Sequence, residues 1–304
     1  MSESEVMKIR ALEEELNNLK EQYASQTGMF EMTSVYLDKL REDLKRSEKK
    51  QSEANKKITD SITYARRIQD AFVVDEVTLR KILPQSFIFQ QAKDIVSGDF
   101  VWAYKNENNV YVATGDCTGH GVPGAMLSIF VISMLNQIVS NSCNEPPASI
   151  LRRLDVLMQK YLSLYNDQIN DTAEISLIKL DLDSQKLEYA GAKRPLIRIR
   201  NNNITIFKGR RFILGNFDRR IEDIIDQEID IQKGDVIYTF SDGFVDQFGG
   251  EKNKKYTTNR LLNSLQNISD TPIDQQGSAL SSIYNEWIGE NDQIDDVLVL
   301  GIRI

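Results

Sequence analysis

Proline is absent before Pro84, and glycine occurs there once, at Gly28. Little in this first stretch can interrupt a helix, whereas glycines recur in turns from Gly98 onward. Cysteine is scarce: Cys117 and Cys143 do not make a disulfide framework, and a reducing, cytoplasmic setting is the expectation. A basic excess is lacking; the net charge of −8 argues against a nucleic-acid partner. The longest apolar run, Ala125 to Leu135, is shorter than the roughly 20 residues of a spanning helix, so no membrane span is expected. The N-terminus, MSESEVMKIRALEEE, is too acidic and polar for a signal peptide. There is no internal repeat and no glycine pattern of a nucleotide-binding loop.

What remains is a chain of 304 residues, 41% hydrophobic, more than one typical domain and enough for a sizeable core. Before residue 83 the grammar is helical. Ile9, Leu12, Leu16, Leu19 and Tyr23 step by 3 and 4, and the register continues through Phe30, Leu37, Leu40 and Leu44, with Ile58 further on. Gln26, Thr33, Ser47 and Gln51 interrupt the stripe, and charges fill the other positions. An apolar period of 3.5 predicts a coiled coil and a homodimer. The alternatives are an amphipathic helix packed on its own domain, or an antiparallel hairpin broken near Gly28. Residues 61–82 read as a connecting helix with Ile62, Ala65, Ile68, Gln69 and Phe72 inward. Val73-Val74-Asp75 breaks it, and Asp75 is placed to cap a short helix from Glu76.

Beyond residue 83, strand-like runs alternate with helical stretches. Ser86 to Gln91, Phe100 to Tyr104 and Val110 to Thr114 read as strands, and Val122 to Ile138 and Ala148 to Leu164 as helices. A β series follows at Glu174 to Leu180, Leu187 to Ala190, Leu196 to Arg200, Ile204 to Phe207 and Val236 to Phe240. Arg260 to Leu265 and Gln275 to Trp287 read as helices, and Val297 to Ile304 closes the chain as a strand. Short-linked consecutive strands predict an antiparallel α+β fold, not a doubly wound parallel one.

Four aspartates border these strands in tight turns: Asp99, Asp116, Asp242 and Asp295, the last followed by Asp296. Asp beside Gly is common in ordinary turns, but four such words at strand ends can be gathered by a sheet. Clustered carboxylates repel unless cations neutralise them, and hard Mg²⁺ or Mn²⁺ suits all-oxygen ligands. Two such ions about 3.5–4 Å apart are suited to hydrolytic phosphoryl chemistry. Two divalent ions carry +4, against −4 for the four carboxylates.

The words SGDF (97–100), GDCTGHGVPGAMLS (115–128), YAGAKRPL (189–196), GDVIYTFSDGFVDQFGG (234–250) and QIDDVLVLGIRI (293–304) resemble, in order and spacing, the PPM-type metal-dependent serine/threonine protein phosphatases of the bacterial SpoIIE/RsbU-like branch. The resemblance covers about residues 60–304 and implies an antiparallel β-sandwich flanked by helices, with a two-metal site at one end. With the apolar period of the first stretch, the expected organisation is a coiled-coil region at 1–60, a connecting helix at 61–82 and a phosphatase domain at 83–304.

Carried over by resemblance, Asp116 bridges both metals, the Cys117 carbonyl completes one shell, Asp242 and Asp295 ligate the other ion, and Asp99 holds a metal directly or through water. Asp296 competes with Asp295 for the last role; the first Asp of the pair is preferred. His120, the only histidine, is read as a leaving-group proton donor or phosphate contact, or as a turn residue facing the cleft. Cys117 as a nucleophile lacks an adjacent base. Asp246 is a carboxylate behind the site or a solvated one. Asp171-Thr172-Ala173-Glu174 departs from the family's acidic word, so no metal contact is assigned to that loop, and no arginine is assigned as a phosphate clamp. The implied substrates are phosphorylated STAS-domain regulators. The rival functions are a non-catalytic phosphoprotein-binding scaffold and a small-phosphomonoester hydrolase.

Overall fold

The computed structural model describes residues 2–106, 108–141, 144–163, 171–181, 184, 186–216 and 223–304. Cys143, Leu164 and part of the Asp181–Lys186 turn lie outside the described residues. The chain divides into two compact units, Met1–Ser61 and Ile62–Ile304.

The first unit is helix. α1 (Glu3–Asp70) is continuous and passes through Gly28 and Ser61, so neither the hairpin nor a separate connecting helix forms. One glycine costs a helix only about 1 kcal/mol, too little to break so long an element. The stripe residues Ile9, Leu12, Leu16, Leu37, Leu40 and Leu44 are exposed in the single chain. Near the end of α1 the expected inner face is narrower than anticipated: Gln69 is buried, whereas Ile68 and Phe72 are exposed. Asp75 caps α2 (Glu76–Ile82), accepting from the Thr78 amide.

Among the described residues, the second unit has twelve strands: β1 (Ser86–Gln91), β2 (Phe100–Lys105), β3 (Asn109–Cys117), β4 (Ala173–Asp181), β5 (Lys186–Ala192), β6 (Leu196–Arg200), β7 (Asn203–Phe207), β8 (Gln227–Ile229), β9 (Val236–Phe240), β10 (Phe248–Gly249), β11 (Lys254–Lys255) and β12 (Val297–Arg303). Two antiparallel sheets run in the orders β1-β12-β9-β6-β7 and β2-β3-β4-β5-β8, and β10 pairs with β11. This is the expected α+β sandwich; β8, β10 and β11 were not anticipated.

Three apolar layers hold it. Between the sheets, Val101, Val112, Ile178 and Tyr189 meet Ile237, Leu298 and Leu300. The outer face of the β2–β8 sheet packs on α3 (Gly121–Ser140) and α4 (Pro147–Ser163) through Trp102, Tyr111, Leu135 and Leu154. After the single-turn α5 (Gly243–Asp246), α6 (Thr258–Ile268) and α7 (Ile273–Ile288) cover the other sheet through Phe87, Tyr238, Leu265 and Tyr284. The apolar run read as Ala125–Leu135 belongs to the longer α3, which by length and composition alone could cross a membrane. Its buried face, with Leu127, Val131, Leu135 and Ile138, is a core face of this unit.

Candidate active site

Antiparallel pairing brings one edge of the sandwich to a common point. β3 ends where β4 begins, β9 ends where β12 begins, and β2 starts beside the end of β3. Asp116 lies directly across from Glu174 in the β3–β4 register. Ser241, at the end of β9, donates its amide to Leu298 O and accepts the Leu298 amide at Oγ, each at 3.0 Å. This pins Asp242 beside the Asp295–Asp296 turn. A Cβ on Gly124 would lie 2.1 Å from the Gly119 carbonyl, so only glycine lets α3 begin against the Asp116–His120 loop.

Asp116, Glu174 and Asp242 each offer an oxygen within 4.8 Å of the others. At their centre is the Arg194 guanidinium, whose Nη2 lies 2.5 Å from Asp116, 2.7 Å from Glu174 and 2.9 Å from Asp242. Lys193 also pairs with Glu174. Asp99 is buried beside this cluster, and its Oδ2 has no hydrogen-bond partner. Asp295 is partly buried and feels the charge of Asp242.

Electrostatics follow from crowding and burial. Burial pushes Asp99 well above the usual carboxylate range, and the Asp116 charge adds to it. Burial also raises Asp116 to about 7, against the pull of Arg194 and with Asp242, Glu174 and Asp295 adding to the rise. Asp295 is raised chiefly by burial. For Asp242, burial acts upward, but the charge and hydrogen bond of Arg194 prevail and hold it low. Burial pushes the Cys117 thiol well up, so it is no thiolate nucleophile.

The Asp295–Asp296 pair separates by environment. Asp296 is buried and uses both oxygens on backbone amides, Oδ1 for Lys93 (2.8 Å) and Oδ2 for Gly98 (2.7 Å). Asp295 takes only the Asp296 amide, at Oδ1. Asp246 forms a surface pair with Lys255 at 3.0 Å. His120 is half-exposed; Nδ1 is 2.6 Å from Asp94 Oδ2, and Nε2 is 3.1 Å from Lys93 Nζ. Gln69 ties the last turn of α1 to this region. Its Nε2 donates to Ser97 O (2.6 Å) and Ser128 Oγ (2.9 Å), its Oε1 accepts the Ser97 amide (3.2 Å), and Ser97 Oγ in turn accepts the Asp99 amide.

Of the aspartates read from sequence, Asp116 and Asp242 fall within the tight group, with Asp99 and Asp295 around it. Two residues were missed. Glu174 lies in the loop word to which no metal contact was assigned, yet its carboxylate is in the cluster. Arg194 lies in YAGAKRPL, where the cationic Lys193-Arg194 pair at a strand end was the available signal.

The residues fit a hard divalent cation: all donors are oxygens, their charge outweighs Arg194, and Asp99 Oδ2 is buried and orphaned. A helix-flanked double-sheet sandwich with this acidic edge defines the class, a PPM/PP2C-type metal-dependent phosphatase. Among solved structures, the chain is similar to the SiaA PP2C domain of Pseudomonas aeruginosa (29% identity, TM-score 0.76, covering 83% of this chain and 98% of that one). The PP2C phosphatase domain of SpoIIE from Bacillus subtilis, with a fragment of its regulatory domain, has 18% identity and a TM-score of 0.60, covering 72% and 63%. The RsbU and RsbW domains of a Mycobacterium tuberculosis protein share the fold at 18% identity and a TM-score of 0.58, covering 73% and 60%. No curated protein sequence matches the chain. Residues 106–304 match the family model of stage II sporulation protein E (SpoIIE), and the chain belongs to that family. It is an enzyme of the phosphatase class.

The raised Asp116 gives a signed pH dependence. Without metal, the folded chain keeps this proton to about pH 7, while the unfolded group loses it near 3.8. The folded state therefore binds the extra proton in that window, and this group's contribution to stability falls as pH rises through it. In EDTA, Asp116→Asn is expected to raise the melting temperature relative to wild type more at pH 8 than at pH 5, read by circular dichroism. A pH-independent difference contradicts the assignment.

Proposed function

We propose that the chain is a protein serine/threonine phosphatase using two divalent cations, Mn²⁺ or Mg²⁺, with a phosphorylated STAS-type signalling protein as substrate in the cytoplasm. The observation that carries this is the gathering of carboxylates from separate strand ends into one group, with the buried Asp99, its Oδ2 unpartnered, beside it. Asp116, the Cys117 carbonyl, Asp99, Asp242 and Asp295 are the proposed metal-holding groups. The free Asp295 oxygen supports it over Asp296, which is occupied by backbone amides. Bound divalent ions would neutralise the cluster and lower the pKa of water, supplying the nucleophile for hydrolysis.

The chain's own residues set the rest. Asp94 on Nδ1 orients the His120 ring, while Nε2 accepts from the Lys93 ammonium, which has donors only; Lys93 has to swing off before Nε2 can carry a proton to the departing serine oxygen. The exposed α1 stripe supports pairing of two chains. Gln69 supports a route from that pairing to catalysis, since it grips the Ser97 loop two residues before Asp99.

EDTA is expected to abolish hydrolysis of a phosphorylated STAS protein, Mn²⁺ or Mg²⁺ to restore it, and Asp116→Asn or Asp242→Asn to remove it with the fold intact. Undiminished turnover in chelator sinks the reading. His120→Ala should slow phosphoserine hydrolysis by about 10²-fold but slow an aryl phosphate far less, because that leaving group needs little protonation; equal, small effects would leave His120 a turn residue. Leu16→Glu with Leu37→Glu should give a monomer by light scattering and alter turnover. A monomeric wild type, or unchanged kinetics in a monomeric variant, argues against the coupling.

A further inference from the structure

Arg194 is placed with care and hydrogen-bonded poorly. Its main chain is locked: the amide donates to Ala192 O at 2.8 Å, the carbonyl accepts the Tyr189 hydroxyl, and a Cβ on Gly209 would lie 2.5 Å from that carbonyl. The side chain is only 9% exposed and aims into the carboxylates. There a single Nη2 faces three oxygens, although it carries two hydrogens. The Nε is buried with no hydrogen-bond partner. The planar fork that makes arginine a strong bidentate partner is therefore not used on any one carboxylate. The guanidinium serves mainly as a charge: all three oxygens crowd onto Nη2, which has two hydrogens for them.

Two of the three, Asp116 and Asp242, are proposed metal-holding groups, and among the described residues all three form a group compact enough to take a metal ion. A guanidinium and a divalent cation cannot hold the same oxygens together. Like charges a few ångströms apart in a poorly solvated site repel by several kcal/mol. We propose that Arg194 is a built-in competitor of the divalent cation, so that metal binding must expel its side chain and Arg194 sets the metal affinity of the site. This rests on the metal reading given above. Coupling of this kind is reciprocal: what the metal costs Arg194, Arg194 costs the metal. The arrangement keeps the carboxylates from repelling one another without an ion, and it raises the cation concentration needed to fill the site.

The test is calorimetric titration of Mn²⁺ into the full chain after stripping with EDTA and dialysis. Arg194→Gln is expected to bind Mn²⁺ about tenfold more tightly than wild type and to melt at a lower temperature in EDTA. Equal or weaker Mn²⁺ binding by a folded R194Q overturns the competition. A folded wild type that takes up no Mn²⁺ overturns the metal reading, and this inference with it. Should R194Q not fold, wild type itself decides. The Arg194 Nε–H resonance, assigned by its loss in Arg194→Lys, should exchange faster with solvent on adding Mg²⁺; an unchanged exchange rate overturns the competition.

Discussion

The mutual repulsion of carboxylates at one edge of a sandwich is the constraint on which the rest of this structure depends. Asp116, Glu174 and Asp242 are held within reach of one another, with Asp99 buried alongside and Asp295 at the margin. No fold gathers such groups for stability alone, because burial and like charge both disfavour the ionised forms. The raised Asp99 and Asp116 express that cost. A cation must offset it, and the chain supplies one of its own in Arg194, which meets all three carboxylates through the single Nη2.

The sandwich makes this arrangement rigid. Each carboxylate sits within a few residues of a paired strand end, so its position is fixed by ladder hydrogen bonds and by the apolar layer between the sheets. The loops that complete the site are tied to one another: Asp296 clamps the Lys93 and Gly98 amides, and Gln69 clamps Ser97. Through Gln69, the end of a long helix touches the loop that carries Asp99.

Much of this could be read from the amino-acid sequence, for identifiable reasons. Asp116 and Asp242 stand in the words Gly-Asp-Cys and Ser-Asp-Gly beside β-type runs, which gave their place at strand ends, although Asp116 falls within β3 and not in a turn. The antiparallel order followed from short links between strands. Glu174 was hidden because a glutamate opening a strand looks like a solvated residue, and only the β3–β4 register sets it across from Asp116. Arg194 was hidden because its aim depends on a turn with Lys193 at positive φ and on close contact with Gly209. Gly28 suggested a break, but neighbouring helix outweighed one poor residue. β8, β10 and β11 are two or three residues long, too short to carry a period.

The most direct test of the central claim, that these carboxylates form a two-cation site, is anomalous diffraction at the manganese edge from crystals grown with Mn²⁺. The account predicts two peaks about 3.5–4 Å apart, both against Asp116, with Asp242 and Asp295 on one of them. Saturating Mn²⁺ with no peak among these carboxylates, or with peaks elsewhere on the chain, would contradict it.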